Sequence, residues 1–367
     1  MTTASADTRE RLVALLSENP GCFVSGEAIS GQLDMTRAAV WKHMQALQQA
    51  GWPIESATRR GYRIPSGVRL PYSAAGIRLA LHERRGSALD GVASEKSGVD
   101  WQVSLVAKTD STSTRLKELA AAGSPEGVAL FAGEQTGGRG RLGREWTSRR
   151  DSGIWMSVLL RPDLAPDKVQ GLTLAASVAV VETIRTIIRE TFTGSSASNG
   201  ERLASEIGIK WPNDILQKGK KLCGILTEMA AEPDRLSHVV IGIGINVSHT
   251  VEDFPPELRN SATSIGMMMA GEGPAAAGVD LPDRNRIAAL LLVKLSEVYD
   301  RFRTEGLSAV LERWRHASLT LGREITVMDP HRPWPARAVD VGDDGRLLVE
   351  APDGTRSWVL SGEIGIR

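Results

Sequence analysis

Cysteine is scarce in this 367-residue chain: two occur, Cys22 and Cys223, far apart in sequence. They exclude a disulfide framework, and together with six scattered histidines they leave no zinc-ligand spacing. A reducing compartment fits best. An excess of one charge sign is also missing, since Lys plus Arg and Asp plus Glu each total 44. That balance excludes a globally basic nucleic-acid coat and leaves room for a locally basic surface. No run approaches the ~20 apolar residues that cross a bilayer, and the first ten residues lack the apolar segment of a secretory signal. A cytoplasmic chain with no membrane partner is the expectation. No repeat of solenoid period occurs.

What is present is ordinary for folded protein, with 41% hydrophobic and 24% charged residues, and the length implies roughly two or three domains. The texture divides the chain into 1–65, 66–101, 102–318 and 319–367. The second stretch reads as linker, with one short helix at 73–81 and a Gly/Ser/charged tract over 83–100 that has little to bury. The third alternates strand-like runs (103–107, 128–132, 154–160, 207–211, 222–228, 239–247) with helical ones, the clearest at 166–188 and 284–303. It predicts a mixed α/β domain. Two tracts inside it, 191–202 and 266–280, read as exposed loops or disorder. After residue 321, short strands punctuated by Asp344-Gly345 and Asp353-Gly354 predict tight hairpins and a small β-barrel. The fold class is therefore multidomain α/β (α+β).

Residues 25–33, 34–36 and 37–50 have helix-turn-helix spacing. Val40, Met44 and Leu47 share one inward face, leaving Arg37, Ala38, Trp41, Lys42 and Gln45 outward, where a major groove would meet them. Arg37 and Gln45 are types that pair bidentately with guanine and adenine edges, and Lys42 suits phosphate. A hairpin around Thr58-Arg59-Arg60 would form a basic wing. Residues 34–64 hold five Lys/Arg against two acidic residues, a local balance of +3. The competing reading is a helical module that only packs on a neighbour.

The most informative stretch is Gln135-Thr-Gly-Gly138-Arg139-Gly140-Arg141-Leu-Gly143-Arg144-Glu-Trp146. Its G-x-G-x-x-G spacing brings a dinucleotide turn to mind, but residues 144–153 are polar and carry no helical stripe, so that reading fails. What remains is a flexible loop holding Arg139, Arg141 and Arg144 close together, suited to phosphate oxygens. A solvated basic loop is the bland alternative. Other polar clusters fall at strand ends: Asp110-Ser-Thr-Ser113, Lys210-Trp-Pro-Asn-Asp214, Lys220-Lys-Leu-Cys-Gly-Ile-Leu-Thr-Glu228 and Gly242-Ile-Gly-Ile-Asn246. Taken singly, each has a structural account: a helix cap, a turn, or close backbone packing.

Together, in this order, these motifs resemble the biotin protein ligases, specifically the bifunctional kind that also represses a biotin operon. The resemblance covers most of 22–65, 103–263 and 284–367. It implies a winged helix-turn-helix, a catalytic domain related to class II synthetases and an SH3-like terminal barrel. It also implies ATP and biotin as substrates, Mg2+ with the ATP, a biotin carboxyl carrier protein as acceptor, operator DNA, and a homodimer on adenylate binding. By the same resemblance Ser111, Thr112, Ser113, Gln135, Gly138, Gly140, Gly224 and Gly242 line the biotin site. Arg139 and Arg141 bind biotin and adenylate by ordering the loop over the ligand, Lys221 contacts the carboxylate and α-phosphate, Asp214 orients charge or assists the incoming amine, and Arg144, Trp146 and Asn246 serve the adenylate. Wing residues Arg59 and Arg60 join the helix in DNA binding. No dedicated metal site is implied. Ser113 departs from a frequent asparagine, and Cys223 from a frequent alanine. A lipoate ligase would share the chemistry, but its Arg-Arg-x-Ser-Gly-Gly-Gly loop is absent. A transcription factor that senses biotinyl-adenylate without turnover is the other alternative.

Overall fold

In the computed structural model, which describes residues 3–18, 21–89, 98–231, 236–271, 280–328, 332–360 and 362–366, the chain divides into two compact units, Met1–Ala93 and Ser94–Arg367. The first unit begins with helix α1 (Thr3–Ser17), followed by α2 (Gly26–Leu33) and α3 (Arg37–Gln49). Side-chain oxygens start the latter two: Ser25 Oγ accepts from the Ala28 N–H at 3.1 Å, and Thr36 Oγ1 from the Ala39 N–H at 3.2 Å. Asp34, in the left-handed region at φ 50, ends α2. Val40, Met44 and Leu47 are buried as their spacing requires, against Leu12, Leu16, Ile29, Ile54 and Ile64. Strands β1 (Glu55–Ala57) and β2 (Gly61–Arg63) then pair antiparallel. Gly61 is indispensable to that hairpin. It sits at φ +102, and an added Cβ would lie 2.0 Å from the Val24 carbonyl oxygen.

The stretch expected as linker behaves differently. Helix α4 runs Ala74–Leu89, Ile77 is fully buried, and Arg78 pairs with Glu10 of α1 at 2.7 Å. Ala74, Ala75 and Ile77 supply an apolar stripe too short to dominate the charged sequence after it, so the packed helix was read as ending early. Of the tract 83–100, residues 90–97 lie outside the described residues.

The second unit opens with β3 (Gln102–Val106), α5 (Thr112–Ala121), β4 (Val128–Ala132), β5 (Gly153–Leu160), α6 (Val169–Thr191), α7 (Ala197–Ser205), β6 (Ile207–Lys210), β7 (Asp214–Gln217), β8 (Lys220–Ala231) and β9 (Leu236–Asn246). Their sheet has the order β3-β4-β5-β9-β8-β7-β6. The β3–β4 pair is parallel and every other pair antiparallel, which makes it mixed. Helices α8 (Ile265–Ala270), α9 (Arg284–Glu305) and α10 (Ser308–Ala317) follow.

Strand alternation assigns the two faces of this sheet. Val158, Leu160 and Ile241 face Leu172 and Ala176 of α6 and Leu295 of α9. Leu159 and Val240, pointing the other way, pack with Leu116 of α5. Residues 157 and 242, in phase with these, therefore share the α5 face. The stretch Pro166–Thr191 is long and apolar enough to cross a membrane, contrary to the expectation of no such run, and 83% of its most apolar window is buried inside the protein. Its apolar residues pack against the sheet and α9.

Two expected loops are corrected. Overlapping 191–202, α7 forms over Ala197–Ser205 and buries Gly200 inside the tract, with Leu203 and Ala204 just beyond it. Within 266–280, α8 buries Met268 and Met269, and 272–279 lie outside the described residues. Small residues in both tracts disguised short amphipathic helices whose burial only the neighbouring core supplies. Strand β7 went unrecognised because Asn213-Asp214 reads as a turn.

The terminal strands β10 (Glu324–Met328), β11 (Trp334–Val341), β12 (Leu347–Glu350), β13 (Arg356–Val359) and β14 (Glu363–Ile366) form an antiparallel sheet of order β13-β12-β11-β10-β14. Both Asp-Gly dipeptides make the expected turns, Gly345 and Gly354 each at φ +84. The Trp211 indole N–H donates to the Gly345 carbonyl at 3.1 Å, tying this sheet to the end of β6.

Candidate active site

A cleft of about 390 Å3 opens on the α5 face of the mixed sheet. Its floor is built by the start of α5, where Ser111 Oγ accepts from the Thr114 N–H at 3.5 Å as the N-cap. Thr112 and Ser113 follow in the first turn and are 2% and 5% exposed. Gln135 faces them: its Oε1 accepts from the Thr112 N–H at 2.8 Å and from the Thr112 hydroxyl at 3.1 Å. Its Nε2 donates to Ser148 Oγ at 2.7 Å.

The cleft also holds a cationic cluster. Lys221 Nζ, on β8, lies 2.7 Å from Asp214 Oδ1 on the neighbouring β7. Its backbone is anchored as well, because the Lys221 N–H donates to the Ser261 carbonyl at 2.7 Å and its own carbonyl accepts from Thr263 at 2.9 Å. Arg139, Arg141 and Arg144 line the same cleft from the glycine-rich loop. Arg139 donates to Thr114 Oγ1, and Arg141 Nη1 to Asn213 Oδ1 at 3.0 Å. Gly140 N–H donates to the Arg144 carbonyl at 2.7 Å, closing a tight turn with the exposed Leu142 at its tip. With Lys210, five cationic side chains therefore line the cleft near a hydroxyl-rich floor, an arrangement suited to an anionic ligand with a polar head.

Trp146 lies across the sheet between them. A Cβ on Gly224 would fall 2.8 Å from its ring, and one on Gly244 would fall 2.4 Å from its Nε1, so both glycines are required to seat the indole. Lys221 Nζ stands 5.3 Å from the ring centroid, within cation–π range. The indole Nε1 is buried with no hydrogen-bond partner in this structure. Behind it Trp155, His249 and Phe254 continue a column of rings at centroid separations of 6.4, 5.7 and 5.0 Å. Burial holds the His249 imidazole at a pKa of about 4, leaving it neutral. Cys223 is fully buried beside the wall, and burial pushes its thiol well above the ordinary range.

Of the site residues expected from the sequence, Ser111, Thr112, Ser113, Gln135, Arg139, Gly140, Arg141, Arg144, Trp146, Asp214, Lys221, Gly224, Gly242 and Asn246 all line this cleft. Gly138 does not. It packs behind the loop, where a Cβ would meet the Trp146 carbonyl at 2.3 Å. Asn246 is 3% exposed and donates through Nδ2 to the Thr263 carbonyl at 3.0 Å. Sequence reasoning missed Ser148 and Ser157. The signal for Ser157 was there, since it is the single hydroxyl in the otherwise apolar run Ile154-Trp-Met-Ser-Val-Leu-Leu160. Asn213, passed over as a turn residue, holds Arg141.

In the N-terminal unit, Arg37, Ala38, Trp41, Lys42 and Gln45 are exposed on α3, with Trp41 58% exposed. Arg59 and Arg60 are exposed at the turn between β1 and β2. Arg37 is paired with Glu27 at 2.6 Å, and the Arg60 guanidinium sits 4.3 Å over the Phe23 ring.

Three family models match the chain: an HTH domain over residues 8–63, the biotin/lipoate A/B protein ligase family over 105–246, and the biotin protein ligase C terminal domain over 320–367. The bifunctional ligase/repressor BirA of Bacillus spizizenii is 36% identical over 351 residues, covering 95% of each chain. The biotin--[acetyl-CoA-carboxylase] ligase of Mycobacterium tuberculosis is 36% identical over 269 residues, covering 72% of this chain and 89% of its own. Among solved structures, the Aquifex aeolicus biotin protein ligase in complex with biotin and ATP superposes with a TM-score of 0.55 at 27% identity, over 72% of this chain and 98% of its own. With similarity of this extent spanning the DNA-binding type of unit, the cleft and the terminal sheet, the chain belongs to the bifunctional ligase/repressor family of biotin protein ligases.

Proposed function

We propose that the cleft activates biotin with ATP to biotinyl-5'-AMP and passes the biotinyl group to a lysine of a biotin carboxyl carrier protein. The observation that carries this reading is the meeting of two chemistries in one cleft: Lys221 and the loop arginines share it with hydroxyls and an amide. In the first step a biotin carboxylate oxygen attacks the α-phosphorus and pyrophosphate leaves. Two anions must meet, so positive charge placed before the reaction lowers the barrier. Lys221 is assigned to the carboxylate and α-phosphate, with Arg139, Arg141 and Arg144 closing over the phosphates. In the second step the carrier amine attacks the acyl carbon, AMP leaves, and Asp214 steadies the amine's positive charge.

Ser111, Thr112, Ser113, Gln135, Gly224 and Gly242 are assigned to biotin, and Trp146 and Asn246 to the adenine. Gly138 and Gly140 give the loop its tight path. Magnesium would arrive with ATP, coordinated by the nucleotide's phosphates and water, with one or two protein carboxylates completing its shell. Asp214 and Glu145 are the carboxylates that line the cleft, and among the described residues no three His, Cys, Asp or Glu converge into a cage.

The N-terminal unit is assigned to operator DNA, with Arg37, Ala38, Trp41, Lys42 and Gln45 in the major groove and Arg59 and Arg60 of the β1–β2 wing on the backbone. A homodimer formed on adenylate binding would present two reading helices to a palindromic site. The terminal sheet is assigned to an SH3-like closure, and the mixed sheet to the adenylate-forming plan of class II synthetases. Purified protein mixed with biotin, ATP, magnesium and a carrier domain should yield a streptavidin-reactive carrier only when ATP is present. Adenylate formation without any labelled carrier would reject transfer and leave a sensor that does not turn over.

A further inference from the structure

Among the residues that line the cleft is one that the reading above does not use. Ser157, on β5, is fully buried. Its Oγ lies 2.7 Å from Thr112 Oγ1 and 3.0 Å from Ser113 Oγ. Each hydroxyl has one proton, and that makes the direction of every bond in this cluster decidable.

The Thr112 backbone N–H, 2.8 Å from the Gln135 side chain, requires an acceptor there, which fixes the amide oxygen at that end. That oxygen can only accept, so the Thr112 hydroxyl spends its proton on it at 3.1 Å. Ser157 must then donate to Thr112, and Ser113 must donate to Ser157. On the far side, the Gln135 amide N–H donates to Ser148, whose hydroxyl continues to the Trp146 carbonyl at 3.3 Å. The cluster is one unidirectional chain from Ser113 to the backbone of the arginine loop. Gly242 makes room for its first link, since a Cβ there would lie 2.7 Å from Ser113 Oγ.

From this geometry we infer that Ser157 is a positioning residue which leaves Ser113 with lone pairs only, so that this end of the cleft selects a ligand N–H donor and rejects an acceptor. Resting on the biotin reading, the donor is a ureido N–H. Ser157 touches no ligand in this role. It consumes the Ser113 proton that would otherwise let the hydroxyl rotate and serve either partner. A mismatch is severe, because a buried acceptor facing another acceptor leaves both unpaired.

The test compares biotin with the two cyclic carbamates in which one or the other ureido N–H is replaced by oxygen, a change of nearly equal size. Titration calorimetry on the full chain should show wild type preferring biotin over at least one carbamate by about 100-fold. In Ser157→Ala that preference should fall at least ten-fold, with ATP affinity unchanged. Ser113→Ala, a substitution helices accept readily, should show the same collapse at the same ligand position. Either variant retaining the wild-type preference overturns the inference, as does a proportional loss for all three ligands, which marks a merely structural role. If wild type binds no biotin, the functional reading itself fails, and that result is distinct from both.

Discussion

Lys221 occupies the one point where the cleft's electrostatics converge, 2.7 Å from the Asp214 carboxylate and 5.3 Å from the Trp146 ring. Removing a preorganised charge of this kind typically costs ~100- to 1000-fold in rate. Lys221→Ala should therefore lose biotin-dependent pyrophosphate release by about that factor while melting at the wild-type temperature; release at an unchanged rate would remove the assignment. His249 makes a prediction about stability. Its folded pKa of about 4 lies below the ordinary 6.5, so below pH 6.5 the unfolded chain binds a proton that the folded chain refuses. Its contribution is complete above pH 6.5 and is lost as the pH falls towards 4. About 3 kcal/mol is the scale of that loss. Urea unfolding between pH 4 and 7 should show a shallower slope in His249→Phe than in wild type. At this scale the sequence was informative for exposed motif residues and less so for Ser157. A lone hydroxyl in an apolar strand carries meaning only when it is known which hydroxyls oppose it across the sheet.

Among the elements, the arginine loop 137–146 is the one proposed to retain the reactive anhydride. Arg141 is held by Asn213, and hydrogen bonds to a charged group contribute about 1.5–3 kcal/mol. Arg141→Ala should release biotinyl-5'-AMP about ten-fold faster or more, measured by stopped-flow dissociation, with little change in thermal stability because the loop is exposed. An unaltered release rate would show that Arg141 does not retain the ligand. Strands with sustained apolar runs, such as β4, β5 and β9, were legible with ends right to within a residue or a few. Short elements were not: β7 has four residues, and α7 takes its burial from α6 and β6. The tail of α4 carries charge where its beginning carries the packing residues. In each case local propensity was outweighed by a partner distant in sequence.

At the scale of the whole molecule, a reading helix and an adenylating cleft are encoded in one chain, and regulation by the reaction's own intermediate follows as a proposal. Gel-shift binding to the protein's own operator should strengthen at least ten-fold when biotinyl-5'-AMP is added, in step with dimer formation seen by analytical ultracentrifugation. Equal binding with and without the adenylate would separate the two activities. The sequence by itself determined the family, the order of its parts and those polar residues of the cleft that sit in motifs, because the requirements of charge, turn and helix start are local; Ser157, Thr147 and Ser261 of the lining carried no such signal. Tertiary structure alone decided that Gly138 lies behind the loop, that Gly244 seats Trp146, that 66–89 packs as well as connects, and which way the hydroxyl chain runs. Those outcomes depend on which strands are neighbours, and a pairing such as Gly153 of β5 with Asn246 of β9, distant in sequence, leaves no trace in the periodicity of either partner.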